Sequence, residues 1–164
     1  MTGMNGREKI TMPQAGNDYL ADHAGLLIAS YRHWTGHDLV DSGLSAAGQA
    51  RALYEAPFVV ASHGTEPDPV FNYGNRAALA LFETTWDAFI SLPSRLSAEP
   101  VARAERERLL ARVHAHGYID DYSGVRVSTR GRRFRIARAT VWNVIDAAGA
   151  RRGQAVMFRE WENL

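Results

Sequence analysis

The chain has 164 residues, of which 46% are apolar and 23% charged. That composition fits one globular domain with an extension and excludes a low-complexity or disordered chain. Nineteen basic residues against eighteen acidic ones leave +1, too little uncompensated charge to point to nucleic acid or a membrane surface. The absence of cysteine excludes disulfides, thiolate metal sites, a thiol nucleophile and a flavin–cysteinyl adduct.

Residues 1–16 carry Gly, Asn, Thr and Pro without periodicity and are expected to form a mobile, disordered tail. No apolar stretch follows Met1–Lys9, and no run approaches the ~20 residues of a bilayer span, so the expectation is a cytoplasmic protein without membrane contact. From Asn17, Leu20, Ala24, Leu27, Ile28, Tyr31 and Trp34 recur at helical spacing, with Asn17 or Asp18 as cap and Gly36 as stop. A second helix is expected from Ser45 to Glu55, ended by Pro57. This extension, residues 17–56, cannot bury its own apolar stripe. Leu20, Leu27, Tyr31 and Trp34 therefore either form a homodimer face or cover the outer side of a sheet within one chain.

At Phe58 the pattern becomes strand-like through His63, and a second short strand, Val70–Tyr73, runs into Gly74-Asn75. Asn75 is a good cap for a helix to Phe82. Thr84 with Asp87 reads as a capping box for Trp86–Ser91, and a longer helix runs from about Glu99 to His116, ended by Gly117. That helix carries Glu99/Arg103 and Glu105/Arg108 on its wet face and Leu109, Leu110 and Val113 on its apolar side. The remainder reads as a meander: Tyr122–Thr129, Arg132–Ile145 and Arg152–Arg159, with turns at Arg130-Gly131 and Asp146–Gly149. Strict alternation puts Phe134, Ile136, Trp142 and Val144 on one face of the long strand, in phase with Arg138.

Two strands, several helices and three strands, with a strand that ends at Asn before a helix, resemble the PAS layout. More specifically, Ala139–Asp146 (Ala-Thr-Val-Trp-Asn-Val-Ile-Asp) with Gly153–Phe158 (Gly-Gln-Ala-Val-Met-Phe) resembles the MEKHLA family. These PAS-related domains occur as small bacterial proteins and at the C-terminus of plant homeodomain–leucine-zipper regulators. The resemblance implies an α+β domain at 57–160: a five-stranded antiparallel sheet with a helical insert between strands 2 and 3. It also implies a non-catalytic sensory or interaction module that binds a small molecule or a protein partner, its ligand and cofactor unidentified.

Candidate pocket residues are Phe71, Tyr73, Phe82, Trp86, Phe89, Tyr118, Tyr122, Phe134, Ile136, Trp142 and Phe158, which either line a small cavity or simply fill a core. Arg138, in phase with Phe134 and Trp142, either pairs with a buried acid, meets an anionic ligand, or sits where the inner face has reached solvent. The haem-binding members of the PAS group take their axial His from the helix that here ends in His114 and His116. An i,i+2 spacing puts these two on different faces, and a helix C-terminal role is the simpler reading. His33 and His37 are separated by the helix-ending Gly36, which argues against a joint metal site. The run Arg130, Arg132, Arg133, Arg135 is expected on a solvated edge strand rather than on nucleic acid. The rival class is a small cofactor-independent enzyme using His63 or a Tyr as acid/base. It needs a pocket open to His63 and a carboxylate beside it.

Overall fold

The structure, a computed structural model, describes residues 10–164. Two helices, α1 (Ala21–Thr35) and α2 (Ala46–Tyr54), precede β1 (Val59–His63) and β2 (Phe71–Gly74). Then come α3 (Arg76–Leu81), α4 (Trp86–Phe89) and α5 (Pro100–His116), followed by β3 (Tyr118–Val127), β4 (Arg133–Ile145), β5 (Arg151–Phe158) and β6 (Glu160–Asn163). The sheet is antiparallel in the order β2-β1-β5-β4-β3, and the short β6, not expected from the sequence, pairs with the first half of β4.

Local chemistry sets most boundaries where the residue types place them. The Ser45 hydroxyl accepts from the Gly48 N–H at 3.1 Å, and Gly36 ends α1 with φ +76 while donating to the Arg32 carbonyl at 2.9 Å. Asn75 does more than cap α3. Fully buried, it accepts from the N–H groups of Ala78 and Val60 and donates to the carbonyls of Leu53 and Phe58, so one amide joins α2, β1 and α3. Two caps differ from expectation. Asn17 accepts from Gln14 N–H and donates to the Met12 carbonyl, while Asp18, Tyr19 and Leu20 all hold positive φ, so α1 starts only at Ala21. Thr85, not Thr84, caps α4 by accepting from Ala88 N–H at 3.3 Å.

The N-terminal tail needs a similar correction. Residues 1–9 lie outside the described residues, but 10–16 are seated on the domain, with the Trp86 indole donating to the Ile10 carbonyl at 2.9 Å. On α5, Glu99 pairs with Arg133 rather than Arg103, which donates to the Ala98 carbonyl instead. β3 begins at Tyr118, four residues earlier than expected. Gly117, at φ +94, turns the chain straight from α5 into the strand, where a Cβ would run into the Trp34 ring.

The main departure lies in β4. Phe134 and Ile136 face the inserted helices, as expected, but Trp142 and Val144 face α1 and α2. Arg138 holds a left-handed backbone, φ +54, and inverts the alternation, so Ala139 and Val141 take over the inner face. The neighbouring strand breaks at the matching point. β5 ends at Phe158 and β6 starts at Glu160, with Thr140 opposite Met157 and Ala137 opposite Glu160, so both strands flip together and no residue is gained by either. Arg138 therefore points outward, its side chain 85% exposed and 3.7 Å from the Glu160 carboxylate. It lies on the outer surface and does not line the cavity between the sheet and the inserted helices.

The N-terminal stripe covers the outer face of the sheet within the chain. Leu27 is fully buried, Tyr31 meets the Trp142 ring edge-on at 5.0 Å, and Leu20 and Trp34 pack on the same cluster. Hydrogen bonds lock the register: Ser30 Oγ accepts from Ile145 N–H at 2.8 Å, and the Trp34 indole donates to the Asn143 carbonyl at 2.9 Å. As a homodimer face this stripe is corrected, because its central side chains are no longer accessible. The arginine run is corrected too. β4 is an interior strand between β3 and β6, and Arg132, Arg133 and Arg135 pair with Glu83, Glu99 and Glu162.

Candidate functional site

The inner face of the sheet is built in rungs that follow from the pairing register. His63, Gln154 and Asn143 lie side by side across β1, β5 and β4, and the next rung is Ala61, Val156 and Val141. Polar and apolar rungs thus adjoin under α5. The polar rung is tied to that helix: Asn143 Nδ2 donates to the Val113 carbonyl at 3.0 Å, and Gln154 Nε2 donates to the Leu110 carbonyl at 3.3 Å.

Between this face and the inserted helices lies a cavity of about 70 Å³. Of the sequence candidates, Phe71, Phe82, Tyr122, Ile136 and Phe158 line it. Phe89 and Phe134 are fully buried in the inner core behind the lining, Phe89 stacked on Phe71 at 4.1 Å. Tyr73, Trp86 and Trp142 belong to the opposite side of the sheet, with Tyr118 packed on that cluster, so these four are corrected as pocket residues. The reason for Trp142 is the inversion at Arg138. For Tyr73, alternation along β2 sends it to the face opposite Phe71.

Four polar side chains of the lining carry the chemistry: His63, Arg106, Arg126 and Gln154. Sequence reasoning singled out only His63, and for a different role. Its Nδ1 lies 2.9 Å from the Gly64 carbonyl, which can only accept, so Nδ1 carries the proton and Nε2 is an acceptor. Burial pushes the ring down to about 4, with the Arg106 and Arg151 charges acting the same way, so it is neutral at pH 7. Among the described residues Nε2 has no hydrogen-bond partner, and neither has Gln154 Oε1, whose amide protons are used on Leu110 and Asn143. Two buried acceptors thus lack donors.

The two arginines present the opposite deficit. Arg106, only 8% exposed, donates to Ser94 Oγ at 2.5 Å and has no carboxylate within ion-pair distance among the described residues. Burial, then the neighbouring Arg126 charge, pushes it down to about 10. Arg126 lies over the Tyr122 ring at 5.2 Å, and burial lowers it as well. Neither residue was visible as a site: both sit in exposed-looking, charge-rich stretches, and only α5 packing on the sheet brings them inward.

This geometry does not fit the larger groups that PAS folds hold. A cavity of about 70 Å³ is smaller than the ~150 Å³ that accommodates benzene, so neither a flavin ring nor a haem enters it without rearrangement. His114 and His116 are exposed on α5, and no cluster of three metal-binding side chains occurs among the described residues. The enzyme reading meets half its condition: the cavity reaches His63, but no carboxylate aligns the ring, which is held by a backbone carbonyl. No helix among the described residues is long and apolar enough to cross a membrane.

Comparison with known proteins agrees with this architecture. The chain is 29% identical over 122 residues to the homeobox-leucine zipper protein ATHB-9 of Arabidopsis thaliana, covering 71% of this chain and 14% of that one. It is 28% identical over 121 residues to REVOLUTA of the same plant, covering 73% and 14%. It therefore spans about a seventh of the length of these relatives. Among solved structures, the light-state dimer of the fungal blue-light photoreceptor Vivid superposes with a TM-score of 0.58 at 14% identity, covering 85% of this chain and 94% of that one. The PAS domain of a LuxR-family transcriptional regulator from Burkholderia thailandensis, in complex with ethanol, gives 0.52 at 20% identity, covering 70% and 95%. Both show the PAS fold, and the MEKHLA domain model matches residues 21–163, nearly the whole described chain: this protein belongs to the MEKHLA domain family.

Proposed function

We propose that this protein is a non-catalytic sensory module that binds a small molecule in the inner cavity and relays occupancy through its N-terminal helices. The observation that carries the reading is the lining itself. Buried acceptors without a partner among the described residues, and a buried guanidinium without an ion pair among them, are costly in a core whose only task is to be filled. A bound molecule offsets that cost. Phe71, Phe82, Tyr122, Ile136 and Phe158 supply the apolar wall. The ethanol complex of the Burkholderia thailandensis domain supports a ligand of small size in this fold.

The relay follows one connected path. Gln154 and Asn143 are hydrogen-bonded to each other and to α5, and the Asn143 carbonyl accepts from Trp34 on α1. A ligand that prefers one placement of α5 shifts the population of Asn143 positions, and α1 moves with it. The test is native mass spectrometry of the freshly purified chain, together with thermal shifts against a panel of small acids, amines and alcohols. A retained mass or a selective rise in Tm, abolished by the cavity-filling Val141→Phe, is expected. No retained mass and no selective shift would show a filled core and overturn the reading.

A further inference from the structure

The chemical class of the ligand follows from which atoms of the cavity are left without partners; the argument rests on the ligand-binding reading above. We propose that the cavity takes a small hydroxycarboxylate, its carboxylate held by the Arg106 and Arg126 guanidiniums and its hydroxyl donating to His63 Nε2 or Gln154 Oε1.

Each part of that ligand answers an observed deficit. Arg106 uses one N–H on Ser94 Oγ, and Arg126 bonds the Val125 carbonyl and the Tyr122 hydroxyl, which leaves most of the Arg106 fork and part of the Arg126 fork available beside the cavity. No carboxylate of the described residues lies within 4.0 Å of either, although Asp68 and Glu107 act on Arg106 from farther away; Asp68 is itself bonded to Arg95. Two guanidiniums that repel one another and have no direct ion pair among the described residues favour a planar anion, which both can grip.

The other deficit has the opposite polarity. His63 Nε2 and Gln154 Oε1 come from paired positions of β1 and β5 and both line the cavity, so the single proton of one donor group there satisfies one or the other. That donor is a hydroxyl rather than an ammonium. The Arg106 and Arg151 charges act on His63, making the neighbourhood of its ring unfavourable for another cation. Size limits the carbon skeleton. About 70 Å³ is less than half of the ~150 Å³ that accommodates benzene, which puts the shortest hydroxycarboxylate, glycolate, first and lactate at the upper end of what fits.

The experiment titrates the full chain by calorimetry with glycolate and with L- and D-lactate. Propionate is compared as the analogue lacking the hydroxyl, 1,2-propanediol as that lacking the carboxylate, and alanine as that bearing an ammonium. Hydroxycarboxylate binding is expected, with propionate about tenfold weaker or more and with propanediol and alanine weaker still. Arg126→Met and Arg106→Met should each weaken it at least about tenfold, with circular dichroism reporting that both remain folded. Propanediol binding as well as lactate, or undiminished lactate binding by both folded variants, would overturn the anion assignment. A neutral molecule bound by wild type but lost in Val141→Phe would leave the sensory reading standing while this one falls. If no compound of either class binds the folded protein, both fall.

Discussion

Replacing Arg106 by Met should stabilise the ligand-free protein, against the usual direction of substitutions in a buried site. A guanidinium pushed by burial from its ordinary value down to about 10 is held charged in the folded state at a cost of about 3 kcal/mol. Removing it abolishes that cost. It also loses one hydrogen bond to the Ser94 hydroxyl, worth about 1–2 kcal/mol, while Met refills the space of the aliphatic stem. The balance favours the variant by about 1–2 kcal/mol, or a Tm rise of about 3–6 °C for a domain of this size. Differential scanning calorimetry in buffer free of organic acids measures it, with Arg106→Met/Ser94→Ala as the partner variant that leaves no stranded hydroxyl. A fall in Tm of more than about 3 °C in both variants would refute the reasoning, because it would mean that the cation is compensated within the protein itself.

Acid should destabilise the protein through its buried histidines. His63, and His23 against Ser62, are both pushed from 6.5 down to about 4 by burial. Between those values the unfolded chain binds more protons, so stability is complete above about pH 6.5 and declines towards pH 4. His63 alone accounts for up to about 3 kcal/mol of that loss, and His63→Gln should flatten the profile seen by urea unfolding at pH 7 and 4.5. Asn75→Asp puts a carboxylate against the Leu53 and Phe58 carbonyls and should cost about 3 kcal/mol or more; an unchanged urea midpoint would refute the junction role of Asn75. Tyr31→Glu should lower stability by about 3 kcal/mol or more, because Tyr31 packs on Trp142 inside one chain. Wild-type stability with a change only in light scattering would instead return Tyr31 to a dimer face.

The sequence alone was enough to place the elements and several of their ends, because caps and turns are settled by atoms a few residues apart. Ser45, Asn75, Gly36 and the Asp146–Gly149 turn all act as their types predict, Asp146 accepting from Ala148 and Ala150 N–H at 2.9 Å each. The order of strands and helices, with the wording around Trp142-Asn143, was likewise enough to indicate the family. What tertiary structure decided was which way side chains face. A single left-handed residue, Arg138, reverses the alternation of β4, and the break at Arg159 reverses its neighbour in step, so Trp142 goes to α1 and Val141 to the cavity. No local pattern announces that, since alternation is a statement about regular φ and ψ. Nor does any local pattern bury Arg106: its Ser94 partner lies twelve residues back, and no carboxylate of the described residues lies within ion-pair distance. The site was hidden because it consists of unmet hydrogen bonds, which exist only once the chain has excluded water around them.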